Sequence, residues 1–277
     1  MKLISLMGNS QMLDGGAMFG NAPKALWSRW VETDELNRMH IACRCLLAKD
    51  FHGKNILFET GIGNFFEPKL KARFGIKEDS HVLLESLQEQ GLSDIDIDVV
   101  ILSHLHFDHA GGLLSSWSKN KPLELLFPNA QFLVSEQHWQ RATNSHPRDK
   151  ASFIPFLHDL LQKSGRLHLV NDETHKLVPD VRFEYTSGHT PAMMHSIIEN
   201  IVFCADLIPG KAWMHVPISM GYDRFAELLI DEKADFLQRH HAAKRKLFFT
   251  HDPDIAVASI HYENGRYTTK NEIKILT

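Results

Sequence analysis

Four side chains that commonly bind metal ions fall within six consecutive positions of the segment SHLHFDHAGG (103–112). They are His104, His106, Asp108 and His109. Imidazole suits zinc, iron, nickel or copper, whereas carboxylate suits harder ions. In an extended segment His104, His106 and Asp108 lie at period 2 while His109 points elsewhere, so the segment could serve two neighbouring metal ions.

Three further residues of the same kind each follow a short apolar run: His189 in TSGHTP, Asp206 in FCADL and His251 in FFTHDP. One such residue alone is more often structural than functional, but four strand ends with the same arrangement predict a metal-dependent active site. The alternative for 103–112 is a solvated loop, because burying its titratable groups without a metal would be costly. That alternative gives no reason for the glycine pair at the end of the segment.

The elements that must position these residues mix throughout the chain. Short apolar runs predict strands, and apolar positions at helical spacing predict helices. The predicted strands are 39–49, 54–58, 97–103, 130–134, 181–186, 195–199, 201–205, 246–250, 255–261 and 266–275. The predicted helices are 80–90 with Ser80 as N-cap, the one capped by Ser135, about 151–163, and 222–240. Many short, consecutive strands fit two sheets covered by helices, and no linker divides the chain, so we expect one domain over 1–277.

Composition and charge exclude several classes of protein. The chain has 277 residues and a formal net charge of −4, so it lacks the cationic field of a nucleic-acid-binding protein. No apolar run approaches the ~20 residues that cross a bilayer, and the N-terminal MKLISLMGNSQ is too short for a signal-peptide core. We therefore expect a cytoplasmic protein without membrane or nucleic-acid partners. The few cysteines predict buried thiols and no disulfide framework: Cys43, Cys45 and Cys204.

The order HLHFDH, GHT, AD, HD, from residue 104 to 251, resembles the metallo-β-lactamase superfamily of hydrolases. The resemblance implies an α/β fold, the four-layer αβ/βα sandwich in which two mixed β-sheets are flanked by helices. It also implies two divalent metal ions, with zinc as the default and manganese, iron or cobalt open. Carried over by position, the first metal would be held by His104, His106 and His189, the second by Asp108, His109 and His251, and Asp206 would bridge the two.

Within the superfamily, HLHFDHAGG is similar to the quorum-quenching N-acyl homoserine lactonases, and 13–27 and 205–223 look like those of bacterial lactonase-like hydrolases. The resemblance implies a dinuclear hydrolase that opens lactones or cleaves related carboxylic esters, with Asp108 as ligand and proton carrier. Two positions depart from the family pattern. Pro209 stands where the best-known lactonases have a tyrosine, and Glu59 replaces the aspartate of an Asp-Thr-Gly turn that supports the site.

Four residues are candidates for contact with the substrate. Met18 and Phe19 lie in DGGAMFG (14–20), which predicts a hairpin tip that presents apolar side chains. His215 and Tyr222 could hydrogen-bond a substrate carbonyl. Most other histidines are expected to be solvated, among them His138, His146, His158, His168 and His175.

Other functions share the same ligands. A glyoxalase-type thioesterase, a phosphodiesterase or nuclease, and a β-lactamase all remain open, although the negative net charge disfavours a nuclease. A non-catalytic metal-binding protein is the third class, and a missing ligand would favour it; none is missing. The expected partner is a small-molecule substrate, and a homodimer is a further hypothesis. Substrate, metal and oligomeric state stay open at this stage.

Overall fold

The strands of the chain are short and the helices few, as the computed structural model shows for all residues 1–277. The strands are β1 (Lys2–Met7), β2 (Gln11–Asp14), β3 (Arg38–Ile41), β4 (Arg44–Phe51), β5 (Lys54–Phe58), β6 (Val99–Ile101), β7 (Gln131–Ser135), β8 (Leu167–Val170), β9 (Thr174–His175), β10 (Val178–Thr186), β11 (Met193–Ile198), β12 (Ile201–Phe203), β13 (Lys246–Phe248), β14 (Val257–Glu263) and β15 (Arg266–Ile273). The helices are α1 (Gly15–Phe19), α2 (Lys24–Trp27), α3 (Pro68–Arg73), α4 (Val82–Glu89), α5 (Phe107–Ala110), α6 (Glu136–Thr143), α7 (Pro155–Lys163) and α8 (Ala226–Ala242).

Contacts within the chain divide it into two compact units. The first unit comprises Met1–Gln11, Ala42–Asn171 and Thr277, and the second comprises Met12–Ile41 and Asp172–Leu276. Each unit has its own mixed β-sheet with helices packed on it, as the sequence predicts. That residues 1–277 form one domain stays a prediction.

The first unit is built on a six-stranded sheet with the order β1-β4-β5-β6-β7-β8. The pairs β1–β4 and β4–β5 are antiparallel, and the pairs from β5 to β8 are parallel. Strand β6 is buried along its whole length, which suits its β-branched sequence. Helix α4 packs against β1 and α6 against β7. Because parallel strands end at one edge of a sheet, the segments that follow β5, β6 and β7 meet there.

The second unit is built on a seven-stranded sheet with the order β15-β14-β13-β12-β11-β10-β9. Only β12 and β13 are parallel; all other neighbours are antiparallel. Helix α8 packs against β14. In the parallel pair Phe203 lies opposite Phe248, so the segments that leave these two strands start side by side.

Several predicted elements differ from the observed ones. The strand expected over 39–49 is two strands, β3 and β4, separated by Ala42 and Cys43. The helix expected over 80–90 begins at Val82, and its N-cap is His81 rather than Ser80. The helix expected from about 151 begins at Pro155, whose ring suits the first helical turn. Ser135 caps α6 as predicted, by accepting the N–H of His138.

The segment DGGAMFG is not a hairpin tip. Residues Gly15–Phe19 form helix α1, because the Asp14 side chain accepts the N–H of Ala17 and caps the first turn. Met18 and Phe19 are both buried. No helix of the chain has both the length and the apolar character needed to cross a membrane.

Candidate metal centre

Both units contain buried histidine and aspartate side chains that could hold a metal ion. In the first unit they are His104, His106, Asp108 and His109, and in the second His189, Asp206 and His251. Four of them share one position in the fold, three residues beyond the last residue of a strand: His104 after β6, His189 after β10, Asp206 after β12 and His251 after β13. These four candidate ligands therefore lie just beyond strand ends, as the sequence predicts, and their binding of metal stays a prediction.

A change of backbone conformation divides the candidate ligands of the first unit into two pairs. His106 is extended and serves as the N-cap of α5, so Asp108 and His109 lie on a helical turn. Nε2 of His104 lies 3.1 Å from Nδ1 of His106. Two nitrogens bound to one tetrahedral zinc ion would lie about 3.3 Å apart, since each Zn–N bond is ~2.0–2.1 Å. The geometry of this histidine pair therefore fits a metal ion.

Neighbouring polar groups contact two candidate ligands of the first unit, His104 and His109. Ser103 Oγ lies 2.8 Å from Nδ1 of His104, which leaves Nε2 for a metal. The buried Glu59 carboxylate accepts the N–H of Ser103 at 2.6 Å through Oε1, and its Oε2 lies 3.1 Å from Nδ1 of His109. Such contacts fix the tautomer and the direction of a ligating imidazole. The glutamate at the family's aspartate position thus contacts both Ser103 and the candidate ligand His109.

His138 contributes to the same segment, although the sequence analysis expected it to be solvated. It is fully buried, and its Nε2 accepts the N–H of Leu105 at 2.8 Å, between the first two histidine ligands. His158 is also buried rather than solvated, and burial lowers its pKa to about 4. The expectation of a solvated side chain is wrong for both, because a polar helix can still turn one imidazole toward the core.

The glycine pair that follows the ligands lies against the 60–62 turn. A Cβ at Gly112 would lie 2.0 Å from the carbonyl oxygen of Thr60, and one at Gly111 would lie 2.3 Å from that of Ile62. The backbone N–H of Thr60 donates to the carbonyl of His109 at 3.0 Å, which ties the two segments together. Only glycine fits so close to a neighbouring backbone.

Asp206 lies between the two candidate histidine ligands of the second unit. Its Oδ2 lies 3.2 Å from Nε2 of His189, and its Oδ1 lies 3.1 Å from Nε2 of His251. Each carboxylate oxygen thus faces a different histidine, which is the donor arrangement that a bridging carboxylate needs. The register explains it: Asp206 and His251 each follow the paired residues Phe203 and Phe248 by the same number of positions.

Asp223 is a supporting residue that the sequence analysis missed. It is buried, and its Oδ1 lies 2.9 Å from Nδ1 of His189, while its Oδ2 accepts the N–H of Met220 at 2.6 Å. The backbone of Arg224 also donates to the carbonyl of His189 at 3.0 Å. The only signal in the sequence is that Asp223 ends the lactonase-like segment 205–223.

The candidate substrate residues all lie in the second unit. Phe19 is stacked between Trp27 and Trp213, with ring centroids 5.3 Å and 4.7 Å away. His215 is exposed and stacks on Trp30 at 4.6 Å. Tyr222 is exposed and Met18 is buried. Contact of Met18, Phe19, His215 and Tyr222 with a substrate stays a prediction.

Lys233 of α8 supports the segment that carries two of these aromatic residues. Its side chain is fully buried, and Nζ donates to the backbone carbonyls of Trp213, His215 and Ile218. Burial lowers the pKa of this amine to about 8. An ammonium group has three donors, so the three carbonyls satisfy it without a carboxylate partner.

The three cysteines are buried, as predicted, and none forms a disulfide. Burial raises the pKa of the Cys45 and Cys204 thiols. A buried thiol with a raised pKa is a poor nucleophile, so Cys204 is a core residue beside Asp206.

The family model described as the metallo-beta-lactamase superfamily matches residues 42–258. The chain belongs to the metallo-β-lactamase superfamily. The predicted family and the predicted metallo-β-lactamase fold are therefore both confirmed. The match spans most of the chain and includes every candidate metal ligand.

Two curated relatives that resemble this chain in sequence are N-acyl homoserine lactonases. N-acyl homoserine lactonase AiiA of Bacillus thuringiensis subsp. kurstaki is 26% identical over 137 residues, which are 50% of this chain and 46% of that protein. N-acyl homoserine lactonase of Bacillus cereus is 28% identical over 148 residues, 53% of this chain and 48% of that protein. The chain thus spans about half the length of the curated relatives it matches.

Two solved structures match over nearly the whole chain. A probable metal-dependent hydrolase from Staphylococcus aureus superposes with a TM-score of 0.85 at 25% identity, covering 98% of this chain and 96% of that one. AidC, a dizinc quorum-quenching lactonase in complex with a product, gives a TM-score of 0.76 at 23% identity, covering 98% and 94%. The family and the Staphylococcus aureus protein support the predicted class, a metal-dependent hydrolase.

Proposed function

We propose that this chain is a hydrolase that uses two divalent metal ions to open lactones, with acyl homoserine lactones as the first substrates to test. The observation that carries the proposal is the complete ligand set, in which both oxygens of Asp206 face a histidine. The lactonases among its relatives support the lactone as substrate.

The residues divide between two ions according to the family pattern. His104, His106 and His189 would hold the first ion, Asp108, His109 and His251 the second, and Asp206 would bridge them. When bound, the ions supply an activated water and polarise the carbonyl of the ester. Mixed imidazole and carboxylate donors suit zinc, manganese, iron or cobalt, so the donor set fits the group without naming the metal.

The protein's own side chains hold the ligands and move the proton. Ser103, Glu59 and Asp223 fix the directions of His104, His109 and His189, respectively. Asp108 is the acid that passes a proton to the leaving alkoxide, so that ring opening yields an alcohol and a carboxylate. Neither a serine nor a cysteine nucleophile is required.

Substrate recognition is proposed for four residues of the second unit. Met18 and Phe19 would contact an acyl chain, and His215 and Tyr222 would hydrogen-bond the polar groups of the substrate. Pro209, which stands at the tyrosine position of the best-known lactonases, has no hydroxyl, and its carbonyl accepts the N–H of His251 at 2.9 Å. A contact that a tyrosine hydroxyl would make therefore has to come from another group.

Proton release in a pH-stat tests the proposal. Metal-loaded and chelator-stripped protein are given a long-chain acyl homoserine lactone, and we expect acid release only from the loaded protein. His251→Ala should abolish the release, whereas His241→Ala, which changes an exposed histidine of α8, should not. No release from protein that holds its metals would reject the lactone as substrate.

The same metal-loaded protein also tests the alternative hydrolytic reactions. Thioesters, phosphodiesters and β-lactams are offered to it in turn, and turnover of one of these classes would assign the site to that reaction. Absence of turnover with every class, with both metals bound, would favour a metal-binding protein without catalysis. A homodimer and a cytoplasmic location stay predictions.

A further inference from the structure

The side chain of Gln11, in the first unit, lies against the carboxylate of Asp108. It is fully buried, and its Nε2 donates to Oδ2 of Asp108 at 2.8 Å. The same Nε2 lies 4.0 Å from Sγ of Cys43. Because an ionised carboxylate only accepts hydrogen bonds, the amide nitrogen of Gln11 must be the atom that faces it.

The residues before Gln11 hold it in place. The backbone N–H of Gly8 donates to the carbonyl of Cys43 at 3.0 Å. Asn9 Nδ2 donates to the carbonyl of Ser80 at 2.7 Å, and Ser10 Oγ donates to Glu78 at 2.6 Å. With three consecutive residues anchored, the amide of Gln11 reaches Asp108 from a rigid backbone.

This contact makes the two oxygens of Asp108 different. Oδ2 is bound by Gln11, whereas Oδ1 is the oxygen that lies 3.9 Å from Nε2 of His109. The terminal torsion of an aspartate is broad, so a free carboxylate could exchange its oxygens. A neutral amide donor prevents the exchange without placing a positive charge beside a metal ion, as lysine or arginine would.

Burying a glutamine at position 11 costs free energy. Its Oε1 is buried and accepts no hydrogen bond from the protein. An apolar side chain of the same length would avoid an unsatisfied buried oxygen, so packing alone does not account for glutamine here. The contact with Asp108 does account for it.

We propose that Gln11 is a positioning residue for Asp108: by donating to Oδ2 it holds the carboxylate in one orientation and leaves Oδ1 as the ligand atom. The inference rests on the proposed hydrolase function. The step it serves is the proton transfer that the proposed function assigns to Asp108, which requires a carboxylate held in one orientation.

A double-mutant cycle tests the inference. Gln11→Met removes the amide and keeps the length, and we expect kcat to fall 10–100-fold with little change in KM and with both metals retained. Asp108→Asn and the double variant complete the cycle. If Gln11 acts through Asp108, the double variant loses no more activity than Asp108→Asn alone; losses that multiply would overturn the proposal.

A second measurement does not depend on turnover. The visible absorption of cobalt-substituted protein reports the ligands of the metal, and Gln11→Met should shift it, whereas Gln137→Leu, on exposed α6 surface, should not. An unchanged spectrum together with unchanged kcat would refute the role of Gln11. If Gln11→Met fails to fold, Gln11→Leu is used in the same cycle.

The two proposals fail in different ways. A wild-type protein that holds its metals and cleaves no lactone contradicts the proposed function, and the cobalt spectrum still decides whether Gln11 orients Asp108. An active wild-type protein with an additive cycle contradicts only the role of Gln11.

Discussion

Asp108 has two carboxylate oxygens with different neighbours, an amide nitrogen on one side and a histidine nitrogen on the other. Replacement by asparagine keeps an oxygen that can bind a metal but removes the capacity to carry a proton. We expect Asp108→Asn to lower kcat by about 10²–10⁴-fold while metal content stays near that of the wild type. Metal analysis and steady-state kinetics on one preparation measure both quantities; equal loss of metal and turnover would leave Asp108 as a ligand only.

Asp223 acts on the metal only through His189. Asp223→Asn weakens its contact with the Nδ1 nitrogen, so we expect metal affinity to fall about 10–100-fold, as is usual when the partner of a ligating histidine is changed. Competition with a chromophoric chelator measures the affinity. Asp254→Asn is the matched control. It changes an exposed aspartate three positions after His251, the other histidine that faces Asp206, and should leave the metal affinity unchanged.

At the level of elements, loops of fixed length connect strands to ligands. Gly112 lies in the short 3-10 turn Gly111–Leu113 that follows the candidate ligands of the first unit, and a methyl group there would collide with the Thr60 carbonyl. We expect Gly112→Ala to destabilise the protein by about 1–3 kcal/mol, the usual cost of overpacking. Urea denaturation gives the value. Gly165→Ala is the control, because its Cβ would enter open space and only its positive φ opposes the change; a cost at Gly112 no greater than at Gly165 would argue against the collision.

Lys233 fastens α8 to the segment that follows Asp206, and its buried amine makes that link sensitive to pH. Its pKa is about 8 in the folded protein, below the ordinary 10.5, because burial disfavours the charge. Below pH 8 the amine is protonated in both the folded and the unfolded state, so the whole cost of burial is present. Between pH 8 and 10.5 the unfolded chain binds more protons, and stability rises with pH.

The comparison with Lys233→Met isolates this contribution. We expect the wild type to gain stability relative to the variant as the pH rises from 8 toward 10.5, by up to about 3 kcal/mol. Urea denaturation of both proteins at several pH values measures the difference. A difference that does not change with pH would contradict a buried charged amine.

Strand ends and ligand types could be predicted from the sequence because both are local. Apolar runs such as 97–103 and 246–250 contain β6 and β13, and the ligands follow them. Helix α1 has a local cap at Asp14, but the packing of Phe19 on Trp213, far away in the sequence, could not be predicted. Gln11 and Asp223 were missed for the same reason: a buried glutamine or aspartate has no distinctive local pattern, and its partner is known only after folding.

At the scale of the whole molecule, each compact unit contains side chains that could hold a metal ion. A metal that binds only the folded chain stabilises it, by about 2.7 kcal/mol at 100 times its dissociation constant. We expect chelator-stripped protein to melt roughly 5–10 °C lower than zinc-loaded protein, given the usual dependence of Tm on stability at this size. Thermal melts at increasing zinc concentration measure the shift; the absence of a shift in protein that binds zinc would mean that the unfolded chain binds it equally well.

The offset shared by His104, His189, Asp206 and His251 has a consequence for how this chain tolerates insertions and deletions. Each of these residues lies three positions beyond its strand, so the length of the short spacer fixes where its side chain lies. Adding or deleting one residue between Phe203 and Asp206, or between Phe248 and His251, would rotate the ligand away from its partner. The long connection between Asp206 and β13 has fixed points of its own, because Asp223 contacts His189 and Lys233 binds the carbonyls of Trp213, His215 and Ile218. We therefore expect the spacers to keep their length wherever the metals are used, and variation in chain length to fall between these fixed points.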